Sequence, residues 1–368
     1  MSQILEKEEL TLDEWKLQKS KKRDLFVAMQ RLPYEIKVRR AELRAYEFRE
    51  EMDKRGHECH VSVGGLDSLV LHAFLKSIGI NAVGITVSSL EDKSIQRIHK
   101  QLGLIEIHPY KSKVEVLNDL GFPVISKKIA GRIDLLQNPT KKNKTVRNAI
   151  ITGTCGAQGH YAKNSRMQLP KKWLKLFAGM ANEEYGTDYS EAPFSVSNKC
   201  CYYMKEKPCD DWAKKNNSYP YLGLMASEGG QREESLMENG CNYYGKTVIR
   251  SAPFAPFMRQ DLLQLALDLK VPVPEIYGEI VQDQDGTLRT TLAQRTGCSM
   301  CGFGIHMEKR PHRFDRLRDR NPKEWEFWMY NCCTDKSTGQ KYGWGRVLDY
   351  IGVAWKDEFI EVEQLSFL

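Results

Sequence analysis

The 368-residue chain has no apolar run approaching the roughly 20 residues needed to span a bilayer. No membrane segment is expected. Its opening stretch, MSQILEKEEL, is acidic and lacks the apolar core that directs export, so the expected location is the cytoplasm. Without an export signal, the ten cysteines read as metal ligands or catalytic thiols and not as a disulfide framework. There is no internal repeat and no low-complexity segment. Neither a Gly-Lys-Ser/Thr phosphate loop nor a dinucleotide fingerprint is present, which excludes two familiar ways of holding a nucleotide. What the chain does contain is ordinary for a globular protein: 41% hydrophobic and 28% charged residues. A formal charge of +7 permits a polyanionic partner, a nucleotide or a nucleic acid, without requiring one.

Three segments are expected. Residues 1–56 read as helical and highly charged, with Tyr34, Val38, Ala41, Ala45, Phe48 and Met52 spaced along one helix face. That helix stops near Gly56 and packs on the neighbouring α/β domain. Residues 57–250 form that domain, of mainly parallel sheet with helices on both faces. Its strands are CHVSV (59–63), NAVGITV (81–87), LIEIH (104–108), FPVIS (122–126) and YLGLMAS (221–227), with helices over 67–78 and 91–102. A basic, mostly helical insertion covers about 140–186. Residues 251–368 carry a helix at 260–269, a C-x-x-C and an arginine-rich stretch.

Val63 to Ser68, VGGLDS, lies between a strand and a helix. Gly64 and Gly65 let the backbone turn sharply and approach an anion without Cβ interference. The helix behind them offers unpaired N–H groups and a partial positive charge, which suits phosphate. Asp67 and Ser68 can cap that helix, and the Ser68 hydroxyl can donate to a phosphate oxygen. On its own a Gly-Gly turn before a capped helix is more often only a tight turn. A second signal is the cysteines: adjacent Cys200 and Cys201, and Cys298 with Cys301 in RTGCSMCGFG. A C-x-x-C lets two thiolates converge on one metal, and a further pair completes four ligands. The bland alternative is two buried cysteines and a chance C-x-x-C.

VGGLDS resembles the Ser-Gly-Gly-X-Asp-Ser loop of the PP-loop ATP pyrophosphatases and of the phosphoadenosine-phosphosulfate-reductase family, whose fold is HUP-like. Gly64, Gly65, Asp67 and Ser68 match position by position. Val63 stands where the family has a serine, with Ser62 adjacent, and Leu66 stands where a lysine is common. The cysteines resemble the four-cysteine pattern of [4Fe–4S] sulfonucleotide reductases. The resemblance implies Cys200, Cys201, Cys298 and Cys301 as cluster ligands, with Cys241 a rival for one position and zinc a rival for the iron. SEGGQR (227–232), IYGEIV (276–281) and VLDYIGV (347–353) resemble the bacterial and phage branch of the same family. By that likeness Gly229, Gly230 and Arg232 join Ser62, Gly64, Gly65, Asp67 and Ser68 in the nucleotide site, with Asp67 and Arg232 as the catalytic candidates. The family's C-terminal Glu-Cys-Gly-Leu-His-like segment is absent, and the context of Cys332 and Cys333 does not replace it.

The resemblance implies an enzyme that uses ATP or a related adenine nucleotide, with Mg²⁺ bridging its phosphates. It would adenylate an acceptor, linked to sulfur transfer. Two alternatives are sulfonucleotide reduction and a binding module whose chemistry has lapsed, its cluster structural. A nucleic-acid acceptor is suggested by KKNKTVR (141–147), PKKWLK (170–175) and EKRPHRFDRLRDR (308–320), with Trp173 available for stacking. Such runs are usually solvated helix faces.

Overall fold

A computed structural model describes residues 12–154, 166–178 and 192–356. In chain order the helices begin with α1 (Leu12–Gln30), α2 (Tyr34–Lys54), α3 (Leu66–Ser77), α4 (Lys93–Gln101) and α5 (Lys113–Asp119). There follow α6 (Lys127–Gln137), α7 (Lys144–Thr152), α8 (Lys171–Phe177), α9 (Lys207–Lys215) and α10 (Gly230–Asn239). The last four are α11 (Arg259–Asp268), α12 (Arg313–Arg320), α13 (Pro322–Glu326) and α14 (Trp344–Ile351). Among the described residues no helix is long and apolar enough to cross a membrane. The chain divides into two compact units. The first holds residues 1–108 and 208–298, the second residues 109–207 and 299–368. The α/β unit is thus discontinuous in sequence and extends beyond residue 250.

The first unit is α/β, built on a six-stranded sheet. Its strands are β1 (Glu58–Ser62), β2 (Val83–Thr86), β3 (Ile105–Glu106), β4 (Ser218–Tyr221), β5 (Asn242–Tyr244) and β6 (Ile249–Ser251). Their spatial order is β3-β2-β1-β4-β6-β5, parallel except for β5 against β6. β1 is central: Val61 pairs with Gly84 on one side and Tyr221 on the other. Cys59, Val61, Leu69, Phe74 and Tyr221 are buried in one core with Ala41, Ala45, Phe48 and Met52 of α2. The apolar stripe expected along α2 therefore does pack onto the sheet. Tyr221 donates from its hydroxyl to the Ala45 carbonyl at 2.7 Å. On the opposite face, the alternate residue His60 meets the edge of Trp212 from α9 at 5.4 Å between ring centroids.

Two expected strands differ. FPVIS is no strand of this sheet: it falls in the second unit and makes only single bridges, Phe122 with Val196 and Ile125 with Phe303. Ile125 sits at φ 65°, and positive φ is incompatible with an extended strand. In YLGLMAS the strand ends at Tyr221, so Leu222 to Ser227 is the loop that leaves it. Apolarity accounts for the difference, because Met225 and Ala226 are buried without being extended partners in a ladder.

The second unit is mainly helical around its own core, where Phe122, Phe314 and Trp344 are fully buried. Gly302 sits against the Trp344 ring and the Pro123 carbonyl, so closely that a side chain there would collide with both. Helices α7 and α8 supply part of the expected insertion; residues 155–165 and 179–186 of it lie outside the described residues. The helical run from Cys200 widens into a π turn at Tyr202–Glu206 just before Pro208. Pro208 has no N–H and its ring crowds the carbonyl four residues back, so the regular ladder cannot pass through it.

His60 gives this fold a pH signature. The imidazole is 2% exposed, and burial pushes its pKa down to about 4 from the ordinary 6.5. Above pH 6.5 it is neutral in both folded and unfolded chains and costs nothing. Between 6.5 and about 4 only the unfolded chain takes up the proton, so stability falls as the pH falls; below that the loss levels off. Denaturant titrations at pH 7 and pH 4.5 should show wild type losing more stability than His60→Gln, by on the order of 2 kcal/mol.

Candidate nucleotide site

The sheet order places its reversal between β1 and β4. From β1 the chain winds outward through β2 and β3, and it later returns to build β4 and β6 on the other side. The carboxyl ends of the strands at such a reversal are where open α/β sheets bind ligands. VGGLDS leaves β1, and Leu222 to Glu228 leaves β4. The two touch: a Cβ on Gly223 would lie 3.0 Å from the Asp67 backbone.

The loop is held from inside. The Ser68 hydroxyl accepts from the Gly64 N–H at 2.8 Å and donates to the Gly65 carbonyl at 3.0 Å. It does not cap α3, whose N-cap is Gly65 with no side-chain bond. Instead the Tyr277 hydroxyl accepts from the Leu66 N–H at 3.0 Å and pairs with Thr296 Oγ1 at 2.6 Å. Burial lifts the Tyr277 phenol to about 12, so it stays a neutral hydroxyl at working pH. His99 Nε2 bonds the Gly64 carbonyl at 2.8 Å, while its Nδ1 is 3.1 Å from both Thr86 and Ser88 hydroxyls. Val63 and Leu66, the two departures from the family loop, are buried core residues. Their side chains serve packing, and the loop carries no cation of its own.

Cations arrive from elsewhere in the same unit. Asp67 pairs with Arg259, the first residue of α11, at 2.6 Å. Glu228, only 7% exposed, pairs with Arg295 at 2.7 Å and with Arg232. Burial raises the Asp67 carboxyl above its ordinary value; Arg259 and Arg295 oppose the rise and Glu228 adds to it. Gly229 and Gly230, at φ 74° and 65°, turn the chain into α10 in a conformation other residues resist. Ser62 is the last residue of β1, opposite Ile85. The structure thus brings Ser62, Gly64, Gly65, Asp67, Ser68, Gly229, Gly230 and Arg232 to one sheet end. It adds Arg259, Arg295, Glu228, Tyr277 and His99, which sequence reasoning missed. IYGEIV and RTGCSMCGFG, already singled out, contain Tyr277 and Arg295; nothing local marks Arg259.

Beside the loop, a cleft at the carboxyl ends of β2 and β3 is lined by Thr86, Ser88, Lys93, Arg97, His99 and Lys100 among others. His99 is shared between cleft and loop. The cleft is cationic, with hydroxyls at its inner end.

The cysteine candidates fall as follows. Cys200, Cys201 and Cys301 belong to the second unit, and Cys298 is the last residue of the first. Cys200 and Cys201 open a helix, as a shared metal site would require of adjacent cysteines. None of the nine described cysteines is in a disulfide. Among the described residues no three His, Cys, Asp or Glu side chains are gathered as metal ligands. Cys241 lies in the first unit against a small apolar cluster, and burial raises its thiol pKa, which favours the inert protonated form. Cys332 and Cys333 are both buried, their sulfurs 3.9 Å apart; the contact lowers the Cys332 pKa and raises that of Cys333.

The basic stretches take their bland reading in part. Trp173 is buried, perpendicular to the His306 ring and with Lys172 over its face, so it offers no free face for a base. In the arginine-rich stretch Arg310 pairs with Asp315 at 3.0 Å and Arg313 with Glu308. Lys141, Lys142, Lys171 and Lys172 are exposed.

Gly65 tests the loop's tightness. A methyl there would lie 2.5 Å from the Tyr277 oxygen and 2.9 Å from Thr296 Oγ1. Gly65→Ala should cost about 1–3 kcal/mol, and Tyr277→Phe about 1 kcal/mol. Because the two share one contact, the double variant should lose less than the sum in denaturant titrations. Strict additivity would mean that Tyr277 does not brace the loop. A scan against protein-family models found none that matches this chain, and a search of curated proteins likewise found no match.

Proposed function

We propose that the first unit binds an adenine nucleotide and transfers its adenylyl group to an acceptor, releasing pyrophosphate. The observation that carries this is the glycine loop at the sheet's switch point, with three arginines converging on its two neighbouring carboxylates. A nucleotide's phosphates lie over Gly64 and Gly65, where the N-terminus of α3 meets negative charge. The cleft beside His99 receives the nucleoside, whose ribose hydroxyls match Thr86 and Ser88.

In the transfer, a nucleophilic atom of the acceptor bonds to the α-phosphorus as the bond to the β-phosphate oxygen breaks. The acceptor's proton leaves to solvent or to a carboxylate, and the electron pair departs on pyrophosphate. Positioned amides and arginines stabilise the charge that builds on the phosphoryl oxygens. Asp67 would help hold a Mg²⁺ that arrives with the nucleotide. Arg232 contributes at long range through Glu228, which it shares with Arg295.

Cys200, Cys201, Cys298 and Cys301 belong to the same proposal as the thiolate ligands of a [4Fe–4S] cluster. The support is their donor chemistry, reduced thiols from two segments, together with the family likeness. Such a centre supplies a soft site for sulfur when bound. Protein purified without oxygen should then hold about four irons per chain and absorb broadly near roughly 400 nm. Serine at Cys298 or Cys301 should strip most of the metal. One zinc in a colourless protein would replace the iron assignment.

The activity test offers ATP and, separately, phosphoadenosine phosphosulfate to the anaerobic protein, assaying pyrophosphate and sulfite. Pyrophosphate supports adenylyl transfer, and sulfite would replace it with sulfonucleotide reduction. Binding with neither product would leave a nucleotide-binding module.

A further inference from the structure

The loop over which the proposal sets the phosphates carries no charged side chain except Asp67, which bears the wrong sign. Val63 and Leu66 are turned into the core. Some other group must supply a cation to the phosphate oxygens, and three arginines are near enough to be considered. Arg232 and Arg295 are both engaged on Glu228, and each is about half exposed. Arg259 differs from them. Its Nη1 bonds Asp67 at 2.6 Å, but its Nε and Nη2 are buried and have no hydrogen-bond partner. Nε and Nη2 form one edge of the guanidinium, the edge that takes two oxygens of a phosphate or carboxylate side by side. Two buried, unpartnered donors on a charged group are costly unless something satisfies them.

We propose that Arg259 is the residue that grips the nucleotide's phosphate, through its Nε and Nη2 edge, with Asp67 holding it in register until the ligand arrives. This rests on the nucleotide reading above and names the residue that recognises the phosphate. The position of Arg259 is set from behind. Asp261, in the first turn of α11, accepts from the Met258 N–H at 2.6 Å and from Lys37 of α2 at 2.5 Å, fixing the start of the helix on which Arg259 stands. The half-buried Asp67 carboxyl, its pKa raised by burial and by Glu228, pairs with Nη1 and leaves the Nε and Nη2 edge without a hydrogen-bond partner. A pyrophosphate oxygen pair completes the fork and relieves both orphan donors.

The test uses the full chain, magnesium-free, with three probes: ATP, inorganic pyrophosphate, and adenosine as the phosphate-free control. Arg259→Lys keeps the charge and loses the fork. It should weaken ATP and pyrophosphate at least about tenfold while leaving adenosine unchanged, and Arg232→Lys should weaken them less. Asp67→Asn releases the guanidinium from its charged partner and should tighten pyrophosphate. The proposal is overturned if Arg259→Lys binds ATP as wild type does, or if it loses adenosine to the same degree, which would mark a structural role. Should Arg259→Lys fail to fold, the Asp67→Asn arm decides: unchanged or weaker pyrophosphate binding sinks the proposal. Wild type that binds none of the three would remove the nucleotide reading itself, a result distinguishable from an arginine that is merely misassigned.

Discussion

Everything at the candidate site depends on β1 and β4 lying side by side and parallel, four residue pairs in register from Glu58 with Ser218 to Val61 with Tyr221. Parallel neighbours need a crossover between them, and here the crossover carries a large part of a second unit. The pairing is long-range, so its entropic cost must be offset by burial. The offset is visible in Tyr221, which is fully buried, sets its ring edge-on to Phe48 and bonds the Ala45 carbonyl. Once the two strands are in register, the loops that leave them have no choice but to meet. Gly223 suits the meeting point because a Cβ there would lie 3.0 Å from the Asp67 backbone, tighter than an ordinary contact.

The electrostatics follow from that meeting. Two carboxylates, Asp67 and Glu228, are brought to one sheet end and partly withdrawn from water. Half-buried carboxylates brought close together repel one another, and each is answered by arginine. The answering residues come from α10, α11 and the segment before Cys298, so the charge balance is assembled from three distant parts of the chain. Lys37 and Asp261 repeat the theme one layer deeper. Both are almost fully buried, and removing either partner would strand the other's charge at a cost of about 3–5 kcal/mol.

The parts of this arrangement that repeat locally were legible in the sequence. The α2 stripe, the β1–turn–α3 unit and the glycines of VGGLDS each announce themselves by period or by residue type. The Gly-Gly before Gln231 was legible for the same reason. What depends on distant partners was not. Arg259 follows a methionine at the start of an ordinary helix, and only the pairing of β4 with β6 carries that helix to Asp67. Tyr277 looks like any aromatic in a loop until the fold aims its hydroxyl at the Leu66 N–H. FPVIS misleads because apolarity marks burial, and Val124 and Ile125 are buried in a turn-rich segment and not in a ladder. The cation missing from the glycine loop was legible as an absence; its replacement was not.

The discontinuity of the first unit has a consequence for synthesis. The ribosome delivers β1, β2 and β3 early, then about 110 further residues before β4 appears. At ~5–20 residues per second, the inner edge of β1 stays uncovered for roughly 5–20 s after β3 is complete. An open strand edge is a template for pairing with another chain. The nascent protein therefore passes through a stage in which its central, buried strand is exposed on one side. How fast β4 arrives, and how well α2 shields the half-sheet meanwhile, bear on wrong pairing at a stage that the stability of the finished molecule does not describe.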